Sequence, residues 1–233
     1  MKIIFIISIL ILVLSTSCVF IEGSGQYISS RIENMEEQGE EIMLTEPDRE
    51  GNIPLEQAIE KRRSVRTFTD EPLDERQISQ LFWSAQGITE EATGFRASPS
   101  AGALYPLELY LVSVEGVFHY RPEGHKMVQT SATDIRSLLA SCALGQQSVA
   151  QAPASIVITA IYERTIARYG DRGIRYADIE AGHAAQNILL QATVMDLGAV
   201  PIGAFRDQCV NEALGLDARD TPLYIIPVGH TAD

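Results

Sequence analysis

Lys61-Arg62-Arg63-Ser64-Val65-Arg66 sets four cations and a hydroxyl within six residues. Guanidinium forks match phosphate oxygens in bidentate geometry and Ser64 adds a donor, so the natural partner is a compact anion, such as a phosphate monoester. A helix end also favours cations beside its last carbonyls, and on this cluster alone that plainer reading is the stronger. Ser98-Pro99-Ser100-Ala101-Gly102-Ala103-Leu104-Tyr105-Pro106 is a run of small residues with two prolines. Such a loop can approach a flat ring closely and offer it main-chain and hydroxyl groups. Gly198-Ala199-Val200-Pro201-Ile202-Gly203-Ala204-Phe205 is a second small-residue turn, and either stretch taken singly reads as an ordinary loop. The sequence has no phosphate loop ending in Gly-Lys-Ser/Thr, no Gly-x-Gly-x-x-Gly, no Gly-x-Ser-x-Gly and no His-Glu-x-x-His. His119, His125, His183 and His230 are scattered and read as structural or solvent-facing.

These stretches sit at the joints of recognisable elements. Pro54 precedes Leu55, Ala58 and Ile59 at the spacing of one helical face, which predicts a short helix ending near Arg62. Ser64 to Phe68 is extended chain. Asp74 to Gly87 has an acidic start, an apolar face (Ile78, Leu81, Phe82, Ala85) and a closing glycine, hence a second helix. Pro106 to Val114 reads as a strand, Gly116 to Gln129 as a hairpin turning at Pro122-Glu123-Gly124, and Ala132 to Leu144 as a helix. The continuous apolar run Ala154 to Tyr162 suits a buried central strand. Arg175 to Leu197 is the longest helix, so rich in Ala, Ile, Leu and Val that it is expected to be buried on most sides. A last strand runs from Leu223 to Val228. The sum is an α+β fold with a mostly antiparallel sheet surrounded by helices.

The 233 residues carry 18 Lys and Arg against 31 Asp and Glu, a formal charge of −13, which argues against nucleic-acid partners. Cys18, Cys142 and Cys209 show no Cys-x-x-Cys spacing, and neither a zinc site nor a disulfide framework is expected from them. Residues 1–21 hold a short positive region, an apolar run from Ile3 to Leu14, and Ser15-Thr16-Ser17 before Cys18. Three readings stand: a lipoprotein signal with Cys18 lipidated, an uncleaved membrane anchor, and plain secretion. Residues 22–50 hold nine acids against Arg31 and Arg49 and are expected to form an acidic flexible tether, leaving 51–233 as the folded domain.

Taken in order, four motifs resemble the nitroreductase superfamily of FMN-dependent oxidoreductases, and more closely its SagB-type dehydrogenase branch. They are Arg62 to Arg66, Ser98 to Pro106, the stretch Arg175-Tyr176-Ala177-Asp178-Ile179-Glu180-Ala181-Gly182-His183-Ala184-Ala185-Gln186-Asn187, and Ile225-Ile226-Pro227-Val228-Gly229-His230. The resemblance spans Leu55 to His230 and reverses the plain reading of the basic cluster. It implies a homodimer with FMN at an interface formed by the long helix, and hydride transfer through the flavin by alternating reduction and reoxidation. Arg62, Arg63, Ser64 and Arg66 would hold the phosphate and ribityl end. Pro99, Ser100 and Ala101, from one or the other subunit, would line the isoalloxazine. Gly203 and Ala204 would present main chain to its reactive edge. NAD(P)H is the implied donor, and a small molecule or a peptide the substrate.

Two departures qualify the resemblance. The basic residue that many relatives place near the C-terminus has no counterpart after Gly229-His230. Arg168-Tyr169 stands where azoline-oxidising members have Lys-Tyr; arginine stays protonated, so the pair argues against azoline oxidation and leaves Tyr169 as the candidate catalytic side chain. Arg96, Tyr105 and Glu108 are expected near the site. The implied location is the cell membrane, on the extracytoplasmic side, and the rival reading is a surface lipoprotein that binds a ligand or partner without turnover.

Overall fold

The computed structural model describes residues 39–232; the apolar N-terminal segment with Cys18 and the acidic stretch up to residue 38 lie outside the described residues. In chain order the first elements are β1 (Glu41–Met43), α1 (Leu55–Lys61), α2 (Glu75–Gln86), β2 (Ile88–Glu90) and β3 (Phe95–Arg96). The hairpin region follows as β4 (Leu107–Ser113), β5 (Gly116–Arg121) and β6 (Lys126–Ser131), then α3 (Arg136–Cys142), α4 (Gln147–Gln151) and β7 (Ala154–Ile161). The remainder is α5 (Glu163–Tyr169), α6 (Arg172–Val194), β8 (Leu197–Ala199), α7 (Asp207–Leu214) and β9 (Asp220–His230).

Seven strands form one sheet in the order β1-β6-β5-β4-β7-β9-β8, every adjacent pair antiparallel. The apolar run of β7 lies in its middle, buried on both faces between β4 and β9. Alternation along β4 divides its side chains between two cores. Leu107, Leu109 and Leu111 join α2 and α6 on one face, whereas Tyr110 and Val112 join α3, α4 and α7 on the other. α2 starts where a capping box forms: the Asp74 carboxylate accepts from the Gln77 N–H at 2.7 Å, and the Gln77 side-chain oxygen accepts from the Asp74 N–H at 2.9 Å.

α6 packs Ala177, Ala181, Ala184, Ala185, Ile188 and Ala192 onto the sheet, where small side chains let its backbone come close. The expectation that it is buried on most sides needs correction: Ile174, Ile179, Gly182 and His183 are exposed on its outer face. Apolar residues at three- and four-residue spacing cover only one side once the polar positions between them are placed.

The tether expected over 22–50 is also corrected for its described part. Ile42 pairs with Met127 at the sheet edge, Leu44 enters the core, and Glu41 meets Lys126 at 2.6 Å. Asp48 takes Arg76 at 2.8 Å and its N–H donates to Gln80. A three-residue strand that borrows its partner from β6 has no period of its own to detect. The folded unit therefore includes residues before Gly51.

The cysteine expectation fails as well, because Cys142 and Cys209 form a disulfide with Cα atoms 5.4 Å apart. They stand 67 residues apart, and only the packing of α3 and α7 on one face brings them together. Among the described residues no helix is long and apolar enough to cross a membrane.

Candidate functional site

The basic segment leaves α1 and runs beside the sheet edge. The Val65 N–H donates to the Ala199 carbonyl at 3.1 Å, and Ser64 bridges Ala199 in parallel. The approach is close enough that a Cβ at Gly198 would come within 2.6 Å of the Val65 side chain, so glycine is required there. Arg63 donates to the carbonyls of Glu60 and Arg62, both at 2.8 Å, and Arg66 reaches the Ser64 carbonyl at 3.5 Å. Among the described residues no carboxylate forms an ion pair with Lys61, Arg62, Arg63 or Arg66, although the chain carries 31 acids.

Four residues beyond Ala199, Gly203 and Ala204 stand exposed on a turn that is held from several sides. Ile202 exchanges main-chain hydrogen bonds with Ile225 at 2.8 and 2.9 Å, and the Gln146 amide donates to the Ala204 carbonyl at 2.9 Å. The Arg206 N–H donates to the Cys142 carbonyl at 3.0 Å, next to the disulfide. The basic segment with Arg62, Arg63, Ser64 and Arg66 and the turn with Gly203 and Ala204 are thus both attached along the β8–β9 edge of the sheet.

Pro99, Ser100 and Ala101 belong to a second group. Their loop turns through left-handed backbone at Gly102 (φ 64°), Ala103 (φ 52°) and Tyr105 (φ 45°), conformations that cost a non-glycine residue energy unless its surroundings enforce them. The enforcement is visible. The Tyr105 N–H donates to the Ser100 hydroxyl at 2.9 Å, Arg164 donates to the Tyr105 carbonyl at 2.9 Å, and the Arg96 guanidinium lies 4.5 Å from the Tyr105 ring centre. Asn187 on α6 ties Ser98 and the Ser84 carbonyl to the helix. Tyr169 and Arg168 abut the same loop, since a Cβ at Gly102 would lie 2.7 Å from the Tyr169 hydroxyl and 3.0 Å from Arg168.

Beneath this loop lies Glu180, which the sequence reading did not single out. It is 2% exposed, hydrogen-bonds Ser100 and accepts from the Gln86 amide at 3.4 Å, while its other oxygen has no partner. Burial pushes its carboxyl up to about 7, against the opposing pull of Ser100, Gln86 and Arg96. A single acid in the apolar stripe Ala177, Ala181, Ala184 was the available signal. Across the sheet Glu108 behaves in the opposite way. Burial raises its carboxyl, but His119 at 2.7 Å and the charge and hydrogen bonds of Arg164 outweigh burial and hold it below the usual carboxylate range. Buried His119 and half-buried His125 are both engaged in hydrogen bonds, in keeping with a structural role.

The two groups are anchored far apart along α6. The basic segment meets the chain just past Val194, whereas the loop meets Glu180, about 21 Å earlier by helical rise. Among the described residues no cluster of His, Cys, Asp or Glu could hold a metal ion.

The family model described as Nitroreductase family matches residues 59–230, most of the described chain. The chain belongs to the nitroreductase family. This nitroreductase-family chain is 44% identical to MJ1384 of Methanocaldococcus jannaschii, a protein carrying the name nitroreductase, over 82% of its own length and 98% of the relative's. It is 27% identical to the microcin B17-processing protein McbC of Escherichia coli, over 65% of this chain and 60% of that one. Among solved structures, a Ralstonia eutropha protein described as a nitroreductase superposes with a TM-score of 0.76 at 28% identity, covering 83% of this chain and 90% of that chain. The fold and the oxidoreductase class expected from the motifs are those of the family.

Proposed function

We propose that this nitroreductase-family oxidoreductase works with FMN, held between two copies of the chain. The observation that carries the reading is the basic segment: four cations without a carboxylate partner, in a chain of charge −13, clamped beside the exposed Gly203-Ala204 turn. Arg62, Arg63 and Arg66 supply guanidinium donors and Ser64 a hydroxyl, the donor set that a phosphate monoester takes. When bound, the flavin supplies hydride chemistry at N5, and the protein's part is orientation and electrostatics.

Gly203 and Ala204 present main chain with no bulky side chain in the way, held by Gln146 and the Ile202–Ile225 pair. Pro99, Ser100 and Ala101 are fixed in place by Glu180, Arg96, Arg164 and Asn187. Because this loop is anchored so far from the basic segment, we assign it to the ring of the cofactor held by a second copy. The exposed Ile174 and Ile179 on α6 and Leu55 and Ile59 on α1 form the apolar surface such a homodimer would cover. Tyr169, against Gly102, is the side chain best placed to meet a substrate over that ring, and Arg168 beside it supplies charge but no base.

NAD(P)H is the proposed electron donor and a small molecule or a peptide the substrate, the peptide option supported by similarity to McbC. The SagB-type assignment rests on the same similarity and on the motifs. We place the protein on the extracytoplasmic side of the cell membrane, tethered either by a lipid on Cys18 after cleavage before it or by residues 1–21 as an uncleaved apolar anchor. The Cys142–Cys209 disulfide supports an oxidising compartment.

The test is an absorption spectrum of purified full-length protein after addition of FMN and desalting, followed by anaerobic NADH or NADPH. Retained yellow colour that bleaches is the expected result. Replacing Arg62 and Arg66 with alanine should release the flavin while the dimer persists in sedimentation. Unchanged flavin occupancy in that variant overturns the assignment of the phosphate site.

A further inference from the structure

The corner where α5 turns into α6 carries Arg168, Arg172 and Arg175, all three exposed. The corner is rigid. Gly173 packs so closely on the main chain of Thr165 and Ile166 that a Cβ there would come within 2.6 Å of it. Tyr169 and Tyr176, one from each helix, meet edge to face with ring centres 5.2 Å apart. Arg172 donates from Nε to the Tyr176 hydroxyl at 3.3 Å, and the Arg168 guanidinium stands 5.5 Å from the Tyr169 ring centre. Arg175 follows Arg172 by one turn on the same face of α6.

Among the described residues no carboxylate forms an ion pair with any of the three. The acids on the same helix are otherwise engaged or turned away: Asp178 accepts from the Tyr162 hydroxyl at 2.6 Å, and Glu180 is buried beneath the 98–106 loop. The other group of cations without a carboxylate is the basic segment 61–66, while Arg49 and Arg206 stand singly. That segment answers to the phosphate of a flavin, so the α5–α6 corner calls for a second anion. Guanidinium forks take phosphate oxygens and tyrosine rings take flat apolar faces, which together match a nucleotide bearing more than one phosphate better than a bare anion.

We propose that this corner binds the ADP-ribose half of a pyridine dinucleotide, with its pyrophosphate on Arg168, Arg172 and Arg175. The inference rests on the proposed use of NAD(P)H for the identity of the ligand and adds the residues that take it. Its place agrees with that use. Arg168 and Tyr169 abut Gly102, which directly follows the Pro99-Ser100-Ala101 stretch assigned to the ring of a second copy's cofactor. Arg172 precedes Glu180, the support of that stretch, by eight residues, about 12 Å of helical rise. A dinucleotide held by its pyrophosphate at the corner therefore has its nicotinamide within reach of the loop. Ile174 and Ile179 border the corner, which puts it at the rim of the surface assigned to the homodimer, where polar groups stay accessible.

Titration calorimetry on the full-length, FMN-treated protein tests the corner without needing turnover. The probes are ADP-ribose, its 2′-phosphate, adenosine and triglutamate. ADP-ribose should bind at least about tenfold more tightly than adenosine or triglutamate. A further gain from the 2′-phosphate identifies NADPH as the dinucleotide, and no gain identifies NADH. Arg172→Gln with Arg175→Gln should weaken ADP-ribose binding by about tenfold or more while the flavin colour is retained. Arg62→Ala with Arg66→Ala should leave ADP-ribose binding as it was, since the phosphate of the flavin and that of the dinucleotide have separate cations. Adenosine or triglutamate binding as tightly as ADP-ribose overturns the proposal. So does an ADP-ribose affinity that survives loss of Arg172 and Arg175, or that falls with Arg62 and Arg66. Colourless protein that still binds ADP-ribose through Arg172 and Arg175 would defeat the flavin reading and leave the corner standing; yellow protein that does not bind it would do the reverse.

Discussion

Glu108 and Glu180 are both nearly buried, yet they stand on opposite faces of one sheet and titrate in opposite directions. Glu108, on the face of α3, α4 and α7, has both oxygens engaged, by His119 and by Arg164. Glu180, on the face of α2 and α6, has only the neutral donors Ser100 and Gln86, and one of its oxygens has no partner. Burial penalises both charges alike, so the number and charge of the partners decides which carboxylate stays ionised. The faces differ in the same sense. The Glu108 side is built from helices of 7, 5 and 8 residues, too short to hold themselves, and is pinned by the disulfide. The Glu180 side relies on the 23-residue α6 and close packing of alanines.

The contrast can be broken most forcefully at Glu108. Glu108→Ala removes the partner of a buried histidine and of Arg164, and should cost on the order of 3 kcal/mol of unfolding free energy in urea titrations. A loss below about 1 kcal/mol would mean that the pair is no better compensated than Glu180. For the ionised group the sign is fixed. A folded-state value held below the unfolded one contributes stability that is present at neutral pH and disappears as pH falls through the folded value, so the variant and the parent should converge in acid.

The disulfide comes next. Cys142→Ser with Cys209→Ser, or full reduction, should lower stability by about 2–4 kcal/mol. The loss should appear first as faster amide exchange in α3 and α7 and in the 203–206 turn, with α6 little affected. Uniform loosening of both faces would remove the distinction between them.

Glu180→Gln should show the smallest effect and the most diagnostic one. The Glu180 carboxyl, raised to about 7 by burial, binds its proton in the folded state over a range where the unfolded chain has lost it. The parent therefore loses stability as pH rises from about 4.5 to 7, by on the order of 2–3 kcal/mol, and Glu180→Gln should abolish that slope while leaving stability at pH 4 nearly unchanged. A parallel pH profile in the two proteins would show that Glu180 is ionised in place.

Much of this contrast was legible in the chain and part was not. The acidic start at Asp74, the apolar run of β7, the turn at Pro122-Glu123-Gly124 and the small-residue face of α6 are local patterns, and each became the element it suggested. The basic segment and the 198–204 turn were separately visible, but their adjacency through Ser64 and Ala199 is a tertiary fact. The pairing of Cys142 with Cys209, the ordering of residues 41–48 and the environment of Glu180 depend wholly on what other segments bring to them. β9 was expected from Leu223 to Val228 and runs from Asp220 to His230. Its extra pairs at Asp220 and Thr221 come from β7 and at His230 from β8.

The two edges of the sheet bear on how the protein behaves when concentrated. Each edge strand, β1 and β8, is only three residues long, and β8 is further covered at Ala199 by Ser64. Short edges offer little template for a neighbouring chain. β1 in particular shields the first half of β6, from Lys126 to Gln129 with buried Met127 and Val128 among them, and borders it with Glu40 and Glu41. Cutting the chain back to Gly51 would uncover that six-residue edge with Met127 and Val128 on it, so a shortened domain would be prone to clump through β6 even with every residue of the cofactor site intact.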